Sequence, residues 1–173
     1  MNGTRQFFQT ASDSRNVMSE VLQLIFSAEL VAPSKCLWIV SPWLRDIPVL
    51  DNRSGAYSSL CPEFPMMQIS IGKVVAELLN RGTQVVIATR PEAGNRQVID
   101  SLPLATREDQ LIFHERAELH AKGIVGDRFA LSGSMNLTFN GLERLTEMVS
   151  YQTMRSEVEA LRLTFKAEYG GLA

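Results

Sequence analysis

Apolar side chains recur along the chain with two different periods, and the switches between them lay out the elements. Val17, Val21, Leu24, Ile25 and Ala28 follow a helical spacing. That spacing predicts an amphipathic helix over about Asn16 to Leu30, with Asn16 as its N-cap. Cys36 to Val40 is a continuous apolar run after Pro33, as in a strand buried on both faces. It ends at Ser41-Pro42-Trp43. From Leu44 to Gln68 neither period holds, and Pro48, Gly55, Pro62 and Pro65 punctuate the chain. This stretch reads as a long loop, of the kind that is often functional or mobile. Ile71, Val74, Val75, Leu78 and Leu79 then mark a second helix, which Gly82 can end. Gln84 to Thr89 is rich in β-branched residues and reads as a strand.

The second half alternates faster. Asn95 to Leu102 predicts a short helix ahead of Pro103. Leu111 to His114, Leu119 to Val125, Phe129 to Ser132 and Glu147 to Gln152 predict four more strands. Ser156-Glu157-Val158-Glu159 has the form of a capping box for a last helix, with Val158, Leu161 and Phe165 on one face. The strand, helix, strand order from Cys36 to Thr89 implies a right-handed crossover in a parallel or mixed sheet. The expected fold class is α/β, a mixed β-sheet flanked by helices, built as one domain over residues 1–173. There is no internal repeat and no low-complexity segment.

Composition narrows the chemistry. With 45% hydrophobic and 21% charged residues, 173 residues suffice for a core without disulfides or a structural metal. The formal net charge is -2 and the pI about 5.7. A protein that grips nucleic acid by bulk charge is usually basic, so any phosphate-binding surface here must be local. The two cysteines, Cys36 and Cys61, form no Cys-x-x-Cys, and two histidines are too few for a Cys/His zinc site. Both cysteines are read as reduced. No apolar signal core follows Met1-Asn2-Gly3-Thr4-Arg5, and no apolar run approaches the roughly 18 residues of a membrane span. The expectation is a cytoplasmic protein without a membrane partner.

One cluster carries chemistry. His120-Ala121-Lys122 is followed by Asp127 and then by Gly133-Ser134-Met135-Asn136. Residues two apart on a strand project from one face, so the His120 imidazole and the Lys122 ammonium can meet the same phosphate. Gly133 lets the main chain come close, and Ser134 and Asn136 can donate hydrogen bonds to phosphate oxygens. Asp127 lies in the turn Gly126-Asp127-Arg128, several strand residues from His120, and is assigned a structural role. Outside the cluster, Trp43 is able either to stack on a base or sugar or simply to pack. Arg90 is a candidate phosphate contact, and His114 reads as a strand-end or core histidine.

These residues resemble the signature of the phospholipase D superfamily, whose His-Lys-Asp motif carries a trailing Gly-Ser-x-Asn. The match runs from Leu119 to about Ser150 and is most similar to short, single-motif bacterial members, the small endonucleases among them. The resemblance implies a phosphodiesterase that needs no metal or other cofactor. His120 would attack phosphorus and form a covalent phosphohistidine, and a second copy of His120 would protonate the leaving group. The protein would thus be a homodimer with its active site across the interface. Lys122, Ser134 and Asn136 would hold the phosphate oxygens, with Gly133 beside them. Glu147, or failing that Glu143, would be the carboxylate that orients the histidine. Lipid-acting members usually carry two motifs or a membrane anchor, so a phospholipid hydrolase or phosphatidyl transferase ranks below a nuclease. A catalytically silent nucleic-acid-binding subunit is the other alternative. In size and in its N-terminal half the chain also resembles DpdK, the phospholipase D-like component of bacterial gene clusters that insert 7-deazaguanine bases into DNA and restrict unmodified DNA. That likeness implies DNA as the target and protein partners in a multi-component system.

Overall fold

The computed structural model describes residues 3–13, 16–102 and 110–172. The elements run β1 (Thr4–Gln9), α1 (Val17–Val31), β2 (Cys36–Val40), β3 (Pro48–Asp51), β4 (Gln68–Ser70), α2 (Ile71–Asn80), β5 (Gln84–Thr89), α3 (Ala93–Asp100), β6 (Leu111–Glu115), β7 (Gly123–Val125), β8 (Ala130–Gly133), α4 (Phe139–Glu143), β9 (Glu147–Gln152) and α5 (Arg155–Tyr169). Seven strands form one mixed sheet in the order β1-β9-β8-β7-β2-β5-β6. β2, β5 and β6 are parallel to their neighbours in that group, while β7, β8, β9 and β1 continue antiparallel.

The residues explain the layering. Every residue of β2 is buried, because helices cover both faces of the sheet centre. On one side Met18, Leu22, Ile25 and Phe26 of α1, Val74 and Leu78 of α2 and Val98 of α3 pack on Leu37, Ile39, Val85 and Ile87. On the other side Phe165 and Tyr169 of α5 pack on Trp38, Val40, Val86, Ala88, Val125 and Ala130. Fully burying each such side chain contributes about 1.5–3 kcal/mol. Asn16 does cap α1, its side chain accepting from the Ser19 amide at 3.1 Å.

Four expectations change. Residues 44–68 are not a free loop: β3 and β4 pair as a small second sheet, and Ile47, Val49, Leu50, Cys61, Phe64 and Ile69 enter the core. Asn52, fully buried, ties this segment together by donating to the carbonyls of Phe64 and Pro65 (3.3 and 3.0 Å) and accepting from the Tyr57 amide (2.8 Å). The N-terminal residues contribute an edge strand, β1. The strand expected over Leu119 to Val125 has ladder pairing only from Gly123 onward. The capping box at Ser156 is not used, since α5 already starts at Arg155 with Met154 at the N-cap position. Glu157 accepts from the Thr4 hydroxyl instead (2.8 Å), and Glu159 lies near Arg162. The short helix sits at Ala93–Asp100, shifted from Asn95 to Leu102. Among the described residues no helix is long and apolar enough to cross a membrane.

Candidate active site

Strand register brings five separate segments to one end of the sheet. Gly123 of β7 lies opposite Val40 of β2 and Ser132 of β8, and Gly133 of β8 lies opposite Val149 of β9. The residues just before β7 (His120 to Lys122), just after β8 (Ser134 to Asn136) and at the start of β9 (Glu147) therefore converge. They meet the chain leaving the C-terminal ends of β2 (Ser41 to Asp46) and β5 (Arg90). In open α/β sheets this end of the strands is where ligands bind.

His120 is exposed, and its ring has no hydrogen-bond partner among the described residues. Its carbonyl accepts from Lys122 Nζ at 3.0 Å, so the ammonium is folded back beside the histidine. Ser134 is also exposed, and its hydroxyl accepts from the Met148 amide at 3.0 Å while the Ser134 amide donates to the Met148 carbonyl at 3.0 Å. The same hydroxyl donates to the Glu147 carboxylate, which is buried. That is the carboxylate's hydrogen bond among the described residues. Glu147 thus stands behind Ser134 rather than against the His120 ring, and Glu143 is exposed at the end of α4. Gly133 is required by close approach: a Cβ there would lie 2.2 Å from the Met148 carbonyl oxygen and 2.8 Å from Val149 Cα. Asn136 is half-buried, and among the described residues its buried Oδ1 has no hydrogen-bond partner, at a cost of about 1–3 kcal/mol.

Asp127 sits at the opposite end of β7, four residues past Gly123, or about 13 Å along an extended chain. Its carboxylate accepts from the Lys35 amide (2.9 Å) and pairs with Arg162 of α5, and its own amide donates to Ser34 Oγ (2.8 Å). It fastens β2, the β7–β8 turn and α5 together. His114 is likewise remote from the cluster, with Nε2 donating to the Tyr169 carbonyl at 2.8 Å.

The structure joins two residues that the sequence offered only singly. The Arg90 guanidinium lies over the Trp43 ring, 5.1 Å from its centroid, and Arg90 Nε donates to the Leu119 carbonyl at 2.8 Å, one residue before His120. Ser41 Oγ donates to the Trp43 carbonyl (2.8 Å) and accepts from the Leu137 amide (3.2 Å), and the Arg45 amide donates to the Leu137 carbonyl (2.8 Å). These bonds join residues 41–46 to the tail of the motif. Between them opens a cleft of about 650 Å³ lined by Trp43, Arg45, Asp46, Asn136, Phe139 and Asn140 among others. Elsewhere, Cys61, Glu63 and Glu77 bring a thiol and two carboxylates within 4.8 Å of one another. Arg81, bonded to Glu77 and 3.2 Å from Cys61 Sγ, already supplies their counter-charge, at the N-terminal side of β5 and away from His120.

No protein-family model and no curated protein sequence matches the chain. Solved structures do. The crystal structure of Nuc, a phospholipase D family member from Salmonella typhimurium, superposes with a TM-score of 0.57 at 14% identity, covering 96% of this chain and 93% of that one. NucT from Helicobacter pylori gives 0.58 at 10% identity, over 95% and 93% of the two chains. The phosphatidylserine synthase of Haemophilus influenzae gives 0.59 at 15% identity, over 95% of this chain and 37% of that chain. A mixed seven-stranded sheet flanked by helices, shared over nearly the whole chain with these proteins, gives this chain the phospholipase D-like fold.

Proposed function

We propose that the protein is a metal-independent phosphodiesterase, a nuclease acting on DNA through a phosphohistidine intermediate. The observation that carries this reading is the exposed His120 ring, unpartnered among the described residues, beside Lys122, Ser134 and Asn136 at the ligand-binding end of the sheet. A ring nitrogen of His120 attacks phosphorus. The N–P bond forms as the P–O bond to the leaving group breaks, and the leaving oxygen takes a proton from His120 of the partner subunit. That second imidazole, now neutral, accepts a proton from water as the water oxygen attacks phosphorus, and the N–P bond breaks. Lys122 compensates the charge that develops on the phosphoryl oxygens, and the Ser134 hydroxyl and Asn136 amide orient them. The buried Glu147 carboxylate holds the Ser134 hydroxyl in place. A single motif per chain makes the working unit a two-fold homodimer with the site across its interface. The likeness to DpdK supports a cytoplasmic role within a multi-component DNA modification and restriction system.

One observation favours a second reading, a silent nucleic-acid-binding subunit: Glu147 bonds Ser134, and among the described residues of one chain no carboxylate bonds the His120 ring. Incubating the purified protein with single- and double-stranded DNA, with and without chelator, beside His120→Ala, decides between them. Cleavage that survives chelation and is lost in the variant is expected. Strict dependence on Mg²⁺ or Zn²⁺, or cleavage retained by His120→Ala, would overturn the proposal.

A further inference from the structure

The cleft beside Asn136 has a composition that phosphate binding does not call for. Trp43 is 38% exposed, Phe139 51% and Leu145 48%, all three lining it. Single exposed hydrophobic residues are ordinary, but several gathered in one cleft mark a binding surface. The Trp43 indole is also held in place, since Arg90 lies over its ring and is itself anchored to the Leu119 carbonyl. The polar groups of the cleft are Asp46, Asn136, Thr138 and Asn140, with Arg45 already paired to Glu92 at 2.9 Å. An unpaired cation is therefore not what the cleft offers, and Asp46 repels a phosphodiester backbone.

We infer that this cleft is a nucleobase subsite, and that the substrate is consequently a single strand whose base next to the scissile phosphate stacks on Trp43. A nucleobase has what the cleft asks for. Its flat face stacks on aromatic rings, and its edge carries N–H donors for Asp46 Oδ2, the other carboxylate oxygen being held by the Gly72 amide (2.8 Å). Asn136 then lies where phosphate site and cleft adjoin, which places the stacked base next to the phosphate that His120 attacks. Bases inside a duplex are already stacked and paired and do not reach such a platform. The charge supports the same conclusion. A chain of net charge -2 has little counterion release to draw on, and stacking supplies affinity without it. Base–aromatic stacking lost on alanine substitution corresponds to about 5- to 150-fold in affinity.

The inference rests on the phosphodiesterase reading, and its test separates the two. Cleavage rates are compared on a single-stranded oligonucleotide, the same strand made abasic around the cleavage site, and the duplex, for wild type, Trp43→Ala and Phe139→Ala, with melting temperatures recorded. Wild type should prefer the base-bearing single strand at least tenfold over the abasic strand and the duplex. In Trp43→Ala that preference should fall to within about twofold. In parallel, single-stranded oligonucleotide is titrated while tryptophan emission is followed. Trp38 is fully buried, so quenching reports Trp43. Quenching without cleavage of any substrate supports the subsite and sinks the hydrolytic reading. Cleavage with no base preference, or with no quenching, overturns the subsite and leaves the hydrolytic reading standing. If Trp43→Ala does not fold, the wild-type substrate comparison, Phe139→Ala and the quenching titration still decide the question.

Discussion

Replacing Asp127 by alanine tests whether the aspartate of the motif does chemistry or holds the fold. The Arg162 side chain is only 5% exposed and Asp127 24%, so the pair is screened little on the arginine side. Removing one partner of a buried pair costs about 3–5 kcal/mol, because the other charge remains buried without compensation. Partial exposure of Asp127 lowers that figure, and the cation–π contact between Arg162 and Trp38 (5.4 Å) survives. The Lys35 amide loses its acceptor as well, at about 1 kcal/mol. The sum is about 3 kcal/mol, which for a chain of this length lowers Tm by about 6–12 °C. Thermal unfolding gives the stability, and cleavage is measured at 15 °C, where the variant remains folded. Activity there should stay within threefold of wild type. Replacing Arg162 by methionine in the same background removes the stranded charge and should recover at least half of the lost Tm. A Tm change below 2 °C, or a tenfold loss of activity in a folded variant, would refute the structural assignment.

Three further outcomes follow from the structure. A hybrid dimer of one wild-type and one His120→Ala subunit should retain under a few per cent of wild-type activity, as measured on heterodimers purified with two different affinity tags. A fully active monomer in sedimentation would sink the shared-site reading. Glu147→Gln should remain folded, judged by Tm, but lose about tenfold in kcat/KM, because the Ser134 hydroxyl exchanges a charged acceptor for a neutral one. The loss should be non-additive with Ser134→Ala, because the two side chains are bonded. Cys36, whose thiol is pushed up to about 11 by burial, should resist iodoacetamide at pH 8 in the native protein and react fully once urea unfolds it.

The elements legible from the residues are those whose period is carried by many apolar side chains. α1, α2, β2, β5 and β9 fall where Val17 to Ala28, Ile71 to Leu79, Cys36 to Val40, Gln84 to Thr89 and Glu147 to Gln152 place them. β1 escaped because its two apolar residues, Phe7 and Phe8, are adjacent and show no alternation. Its partner β9 supplies the pairing, a tertiary effect. β3 and β4 are four and three residues long and separated by residues 52–67, so no local window contains them both. The capping box failed because α5 begins at Arg155, which puts Ser156 inside the helix rather than at its N-cap. At the site, the residues of the His-Lys motif could be named because they lie within one short stretch. The Arg90–Trp43 pair and the cleft walls could not be joined, because residues 43 and 90 meet, and 46 and 140 come to line one cleft, only once the strand ends converge.

Two glycines bracket the motif's tail. Gly133 passes Met148 and Gly141 passes Asn136 main chain to main chain, with no side chain between; a Cβ at Gly141 would come within 2.3 Å of the Asn136 carbonyl oxygen. The spacing of the serine hydroxyl and asparagine amide assigned to phosphate is therefore gauged by backbone contact as well as by side-chain packing. Drift in the core can be taken up by repacking of Met135, Leu137 and Leu142, which seat this segment there. Alanine at either glycine has no such slack: it pries the strands or the turn apart and moves Ser134 or Asn136 with them. A mutational scan would score both glycines alongside His120, yet neither touches a reacting atom, and only a variant's altered melting behaviour would tell the spacers from the reagents.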